Sequence, residues 1–175
     1  MLENQDNAEV EDIDFIITIV GQYWDKKPQY SITLNDTVLV EPVEFNLPSG
    51  QPKEIKVSTK LPTTTETSCI LKINLLNKES TDTKKDQYND PDNFTIIDDM
   101  LLTVQGIEID GITLPVGDQF DHTDDVGYYL VDEPVTYKGV ANTTKVVGCT
   151  TMGWNGSYCY KFSTPVYLWL LEQIS

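Results

Sequence analysis

Apolar residues recur along this chain with a period of two and in short runs, the spacing of strands with one buried face and not of helices. Phe15, Ile17 and Ile19 alternate with Ile16, Thr18 and Val20. Tyr30, Ile32 and Leu34 repeat the pattern up to Asn35-Asp36, and Val38, Val40, Val43 and Phe45 carry it across Pro42. Proline has no N–H for a ladder, so that last segment is expected at a sheet edge or a bulge. Ile55 with Val57, Cys69 to Leu76, Leu101 to Ile109 and Ile112 to Leu114 follow, the last two joined by the hairpin dipeptide Asp110-Gly111. Val135 to Ala141, Lys145 to Met152, Ser157 to Phe162 and Val166 to Ile174 complete the series, and Asn-Gly within Gly153-Trp154-Asn155-Gly156 predicts a second hairpin. Only VYLWLLEQI, after Thr164-Pro165, admits one or two helical turns in competition with a strand. Nine or ten strands separated by turn signals predict an all-β, antiparallel, jelly-roll-like β-sandwich. Its 175 residues suit one domain, read as 13–175 behind a flexible arm at 1–12.

Charge narrows the function classes. The net charge is −16, with 28 acidic residues, and all 12 basic residues are lysine. Without arginine the chain lacks the side chain best suited to bidentate phosphate and guanine contacts, and its overall sign repels polyanions. Direct nucleic-acid binding is therefore not expected. No run approaches the length of a membrane span, and MLENQDNAEVEDID has neither the basic nor the apolar part of a secretory signal. Fourteen of the carboxylates fall between Asp82 and Glu133 against Lys84 and Lys85 alone, which places −12 of the −16 there. Aspartate beside turn formers is either a solvated loop residue or a ligand for a hard cation such as calcium.

Chemistry for catalysis is sparse, and no enzyme activity is expected. His122 is the single histidine and stands in a polar loop, away from any Cys-His or nucleophile-elbow signature. Cys69, Cys149 and Cys159 match no zinc spacing. Among the aromatics, Tyr23-Trp24 closes the first strand and Trp154, followed by Asn155, occupies a turn. Exposed flat rings beside Asp and Asn suit a sugar-binding face, but the favoured expectation is that Trp24, Trp154 and Trp169 bury the open ends of the sandwich.

GQYWDKKPQYSITLND, LLNKESTDT, IIDDMLLTVQGIEIDGITL and GWNGSYCYKFSTPVYLWLLEQIS together resemble β-sandwich structural proteins in the virions of T4-like marine cyanobacterial myophages. The layout is also similar to that of calcium-dependent carbohydrate-binding modules. The first resemblance implies a non-enzymatic capsid decoration, neck, tail or fibre-associated subunit, contacting other virion proteins in a symmetric assembly or homo-oligomer and located in the virion. The second implies a glycan partner at Tyr23, Trp24, Trp154 and Asn155, and calcium held by Asp82, Asp98, Asp99 and Asp110.

Overall fold

The computed structural model describes residues 9–86, 94–117 and 126–174. Its strands are β1 (Val10–Gln22), β2 (Gln29–Leu34), β3 (Thr37–Glu44), β4 (Pro52–Pro62), β5 (Thr67–Leu75), β6 (Lys84–Asp86) and β7 (Thr95–Asp98). There follow β8 (Leu101–Ile109), β9 (Ile112–Leu114), β10 (Gly127–Tyr137), β11 (Val140–Val147), β12 (Thr151–Met152), β13 (Gly156–Thr164) and one helix, α1 (Val166–Ile174). One sheet has the order β12-β8-β1-β4 with β9 also on β8, the other has the order β11-β10-β13-β5-β2-β3, and β6 and β7 make a separate ribbon. The fold is an all-β antiparallel sandwich.

Side-chain alternation builds the core between the two sheets. Ile13, Phe15, Ile17 and Ile19 of β1 point inward opposite Leu71 and Ile73 of β5 and Tyr158, Tyr160 and Phe162 of β13, all buried in one cluster. Phe15 and Phe162 meet across the layers with ring centroids 5.9 Å apart. In β8 the buried set changes parity, from Leu102 and Val104 to Ile107 and Ile109. A bulge explains this: Thr18 faces Gly106 while Ile19 faces Val104, so Gln105 is one residue too many and the inward set shifts by one.

Several local expectations hold. Pro42 lies on the edge strand β3 at a register shift, where Tyr30 faces Val43 and Ile32 faces Val40. Asp110-Gly111 is a hairpin turn with φ of 47° and 82°.

Others are corrected. Gly153 to Gly156 does not close a hairpin, because β12 pairs with β8 in one sheet and β13 with β10 and β5 in the other. The turn crosses between layers, and neither Asn155 nor Gly156 has the positive φ that makes Asn-Gly a hairpin signal. Gly156 is required by proximity instead: a Cβ there would lie 2.1 Å from the Leu130 carbonyl oxygen. The true late hairpin turns at Lys138-Gly139, φ 46° and 80°, inside the stretch Val135 to Ala141 expected as one strand. Thirteen strands among the described residues exceed the nine or ten expected: β6 and β7 are too short to show alternation, and Lys145 to Met152, expected as one strand, is divided between the end of β11 and β12. β1 begins at Val10, and Val10, Glu11 and Asp12 pair with Pro62, Leu61 and Lys60 instead of belonging to an arm.

After Pro165 the chain turns helical: Val166, Trp169 and Leu170 are buried, and the Trp169 ring packs edge-on to Tyr160 and Phe162 at 6.3 and 5.9 Å. Among the described residues no helix is long and apolar enough to cross a membrane.

Candidate ligand cleft

Three pieces of chain enclose a cleft of about 460 Å³ where β5 ends and β13 begins. One wall is the segment 77–83 that follows β5, contributing Lys78, Glu79, Ser80 and Thr83. Its sequence, NKESTDT, has no apolar side chain to bury, so polar bonds must hold it. The Asn77 amide accepts from the Gln29 N–H at 2.7 Å and donates to the Lys27 carbonyl at 3.0 Å. Lys26 Nζ bridges Glu79 and Asp82 at 3.0 and 2.9 Å, and the Asp82 carboxylate accepts the Glu79 N–H at 2.7 Å around a single 3-10 turn, Ser80–Asp82. Behind the wall, Lys78 donates to Asp99 and to the Met100 carbonyl, with the Lys78 side chain only 6% exposed. Asp99 also accepts from Thr83 Oγ1 at 2.8 Å.

The facing wall comes from β10. Leu130 pairs with Lys145 and Val135 with Thr143, so the residues between Leu130 and Val135 stand opposite Thr144 alone. This wide bulge takes Asp132, Glu133 and Pro134 off the ladder and exposes them along the cleft. Pro134 has no N–H to leave unpaired, and the Asp132 N–H finds the Asn155 carbonyl at 2.9 Å.

Gly153, Trp154 and Asn155 complete the site. Trp154 is 38% exposed, and its backbone is fixed from within: the Tyr129 hydroxyl donates to the Trp154 carbonyl and accepts the Trp154 N–H at 3.0 Å. Burial drives the Tyr129 phenol far above its ordinary pKa of 10.0, so it stays a donor across the working pH range. Tyr137 packs edge-on to the indole at 6.4 Å. The result is a flat ring held in place at a polar rim.

The residues expected to bind glycan divide. Trp154 lines the cleft, as does Asn155. Both ends of the Asn155 amide are taken up by the opposite wall, however, accepting the Lys78 N–H at 2.7 Å and donating to the Lys78 carbonyl at 3.0 Å. Asn155 is thus a clamp between walls. Tyr23 is half-buried and donates to the Leu47 carbonyl at 2.8 Å. Trp24 is 43% exposed, but its indole N–H is bound to the Asp82 carbonyl at 2.8 Å and it does not line the cleft.

The expected calcium ligands are not brought together. Asp82 is paired with Lys26 and Asp99 with Lys78. Asp98 is exposed on β7 opposite Lys84. Asp110 accepts the Asp14 N–H and the Tyr167 hydroxyl, both at 2.8 Å, beyond the far end of β8 from Asp98 and Asp99. The nine residues of β8 span roughly 27 Å at strand rise, too far for one ion. Carboxylates already bound to lysine and hydroxyl donors do not fit a calcium cage, and among the described residues no three His, Cys, Asp or Glu side chains converge as metal ligands. Asp90, Asp92, Asp118, Asp121, His122, Asp124 and Asp125 lie outside the described residues.

Lys78, Glu79, Asp132 and Glu133 line the cleft without standing out by type in the sequence. A usable signal was present, since Asp-Glu-Pro at 132–134 breaks the alternation that Tyr129 and Val131 begin.

No protein-family model matches the chain, nor does any curated protein. Two solved structures are similar in fold. One is described as vCBM60 in complex with galactobiose, with a TM-score of 0.48 and 9% identity over 84% of this chain and 96% of that chain. The other is a selenomethionine form of vCBM60, described with two families of calcium-dependent carbohydrate-binding modules, with a TM-score of 0.46 and 8% identity over 85% and 89%. At this level the likeness concerns the sandwich alone. The expected kinship with virion structural proteins, and with it virion partners and a symmetric assembly, has no counterpart in these comparisons.

Proposed function

We propose that this chain is a non-catalytic carbohydrate-binding module whose sugar site is the cleft at Trp154. The observation that carries this reading is the half-exposed Trp154 ring, fixed through its backbone by Tyr129 and bordered by Asp132 and Glu133. The C–H face of a pyranose stacks on such a ring, and carboxylates beside it accept from hydroxyls. A site already held open by the Asn155 clamp and the Lys26 bridge loses little conformational freedom on binding.

A glycan array probed with the wild type, Trp154→Ala and Trp24→Ala tests this. Trp154→Ala is expected to weaken binding by about tenfold or more, the contribution of one stacked ring, while Trp24→Ala keeps it. Binding that survives Trp154→Ala, or an oligosaccharide recovered hydrolysed, would overturn the proposal.

A further inference from the structure

All 12 lysines lie among the described residues, so the ionic partners of each carboxylate at the cleft can be compared directly. Glu79 and Asp82 share Lys26, and Asp99 takes Lys78. Asp132 and Glu133, both exposed on the bulge of β10, pair with no lysine. Two lysines also line the cleft and neither is ion-paired with them: Lys78 is buried against Asp99, and Lys85 keeps its charge over the Phe94 ring, 4.1 Å from its centre and beyond ion-pair distance of Asp132 and Glu133. The cleft therefore brings the exposed Trp154 side chain together with two carboxylates that pair with no lysine, on a chain whose net charge is −16.

That pairing of groups selects by charge. An ammonium near an indole face gains from the ring's quadrupole and from each adjacent carboxylate, while an anionic sugar is repelled by both the rim and the whole-molecule field. We propose that the cleft prefers sugars carrying a protonated amine, of the glucosamine type, over their neutral N-acetylated counterparts, and excludes uronate and sulfated sugars. This rests on the sugar-binding reading above and specifies its substrate class. The ring would stack on Trp154 and the ammonium would face Asp132 and Glu133.

Acetylation is a clean control because it keeps the ring and its hydroxyls and removes the charge. Calorimetric titration of the wild-type protein with a glucosamine oligomer, the matched N-acetylglucosamine oligomer and a galacturonate oligomer would be run near pH 5.5, where an aliphatic amine is charged. The amine is expected to bind about tenfold more tightly than the acetylated ligand at about 20 mM salt, with the gap narrowing at about 200 mM as screening shortens the field. In the double variant Asp132→Asn, Glu133→Gln the two ligands should come within about twofold of each other. Acetylated or galacturonate oligomers binding as well as the amine, with dependence on Trp154, would overturn the charge preference and leave the sugar site standing. Absence of binding by all three oligomers, and by every neutral glycan on the array, would overturn both.

Discussion

The two walls of the cleft carry similar acidic side chains and use them in opposite ways. On the 77–83 wall, Glu79 and Asp82 are bridged by Lys26, and Asp99 behind it neutralises Lys78, so the carboxylates hold the loop in shape. On the β10 wall, the Asp132 N–H is held by the Asn155 carbonyl, and Asp132 and Glu133 are exposed with no lysine partner. Acidic residues in a loop thus divide by partner: those with a lysine are structural, and those without one are available to a ligand. Changing the first wall should cost stability, and changing the second should cost binding.

The largest effect is expected from Asp99→Ala. Lys78 would keep its charge in a nearly closed site without its counterion, and breaking a buried pair in this way costs about 3–5 kcal/mol. Asp99 is itself 18% exposed, which puts the expectation at the lower end of that range, read from urea unfolding. Gly156→Ala comes next at about 1–3 kcal/mol, because the new methyl meets the Leu130 carbonyl and the β10–β13 ladder must shift. Asn155→Ala removes two hydrogen bonds to the Lys78 backbone and should cost about 1–2 kcal/mol by the same measurement, while detaching one wall from the other.

A smaller effect separates the walls by pH. The Lys26 pKa is raised above its ordinary 10.5, by the hydrogen bond to Asp82 first and by Glu79 as well, against an opposing effect of burial. Its folded value exceeds its unfolded one, so its stabilisation is whole below the ordinary value of 10.5 and is lost as pH climbs through the raised value. Buried tyrosines act in the same direction: Tyr158 is pushed up to about 12 by desolvation, so the wild type loses stability as pH rises from 10 towards 12. Unfolding midpoints at pH 8 and near pH 11 should therefore differ less in Lys26→Gln than in the wild type. The smallest stability change is expected for Glu133→Gln, within about 0.5 kcal/mol, as for an exposed side chain with no ion-pair partner among the described residues. A loss of several kcal/mol there would show that the β10 wall is structural after all and erase the contrast.

Alternation made the sandwich legible because inward residues such as Ile17 and Ile73 report one buried face at every second position. Pro42 on an edge and Asp110-Gly111 in a turn were legible because both act through local backbone chemistry. The cleft was only half legible. Trp154 stood out by type, but Asp132 and Glu133 owe their exposure to a bulge, and a bulge depends on how Leu130 and Val135 pair with a distant strand. Asp82 and Asp99 looked like ion ligands because their lysine partners, Lys26 and Lys78, come from other segments of the chain. Asn155-Gly156 misled for a related reason: the residues were selected by contact with Lys78 and Leu130, and the dipeptide signal belongs to a turn geometry the chain does not use here.

The central claim is that sugar binds at Trp154 between these walls. Titrating the oligosaccharide best retained on the array into isotope-labelled protein, and following the three tryptophan indole N–H resonances by NMR, tests it most directly. The Trp154 resonance should move along a saturable curve while those of Trp24 and buried Trp169 stay in place. Movement confined to Trp24, with Trp154 unchanged at saturation, would contradict the account.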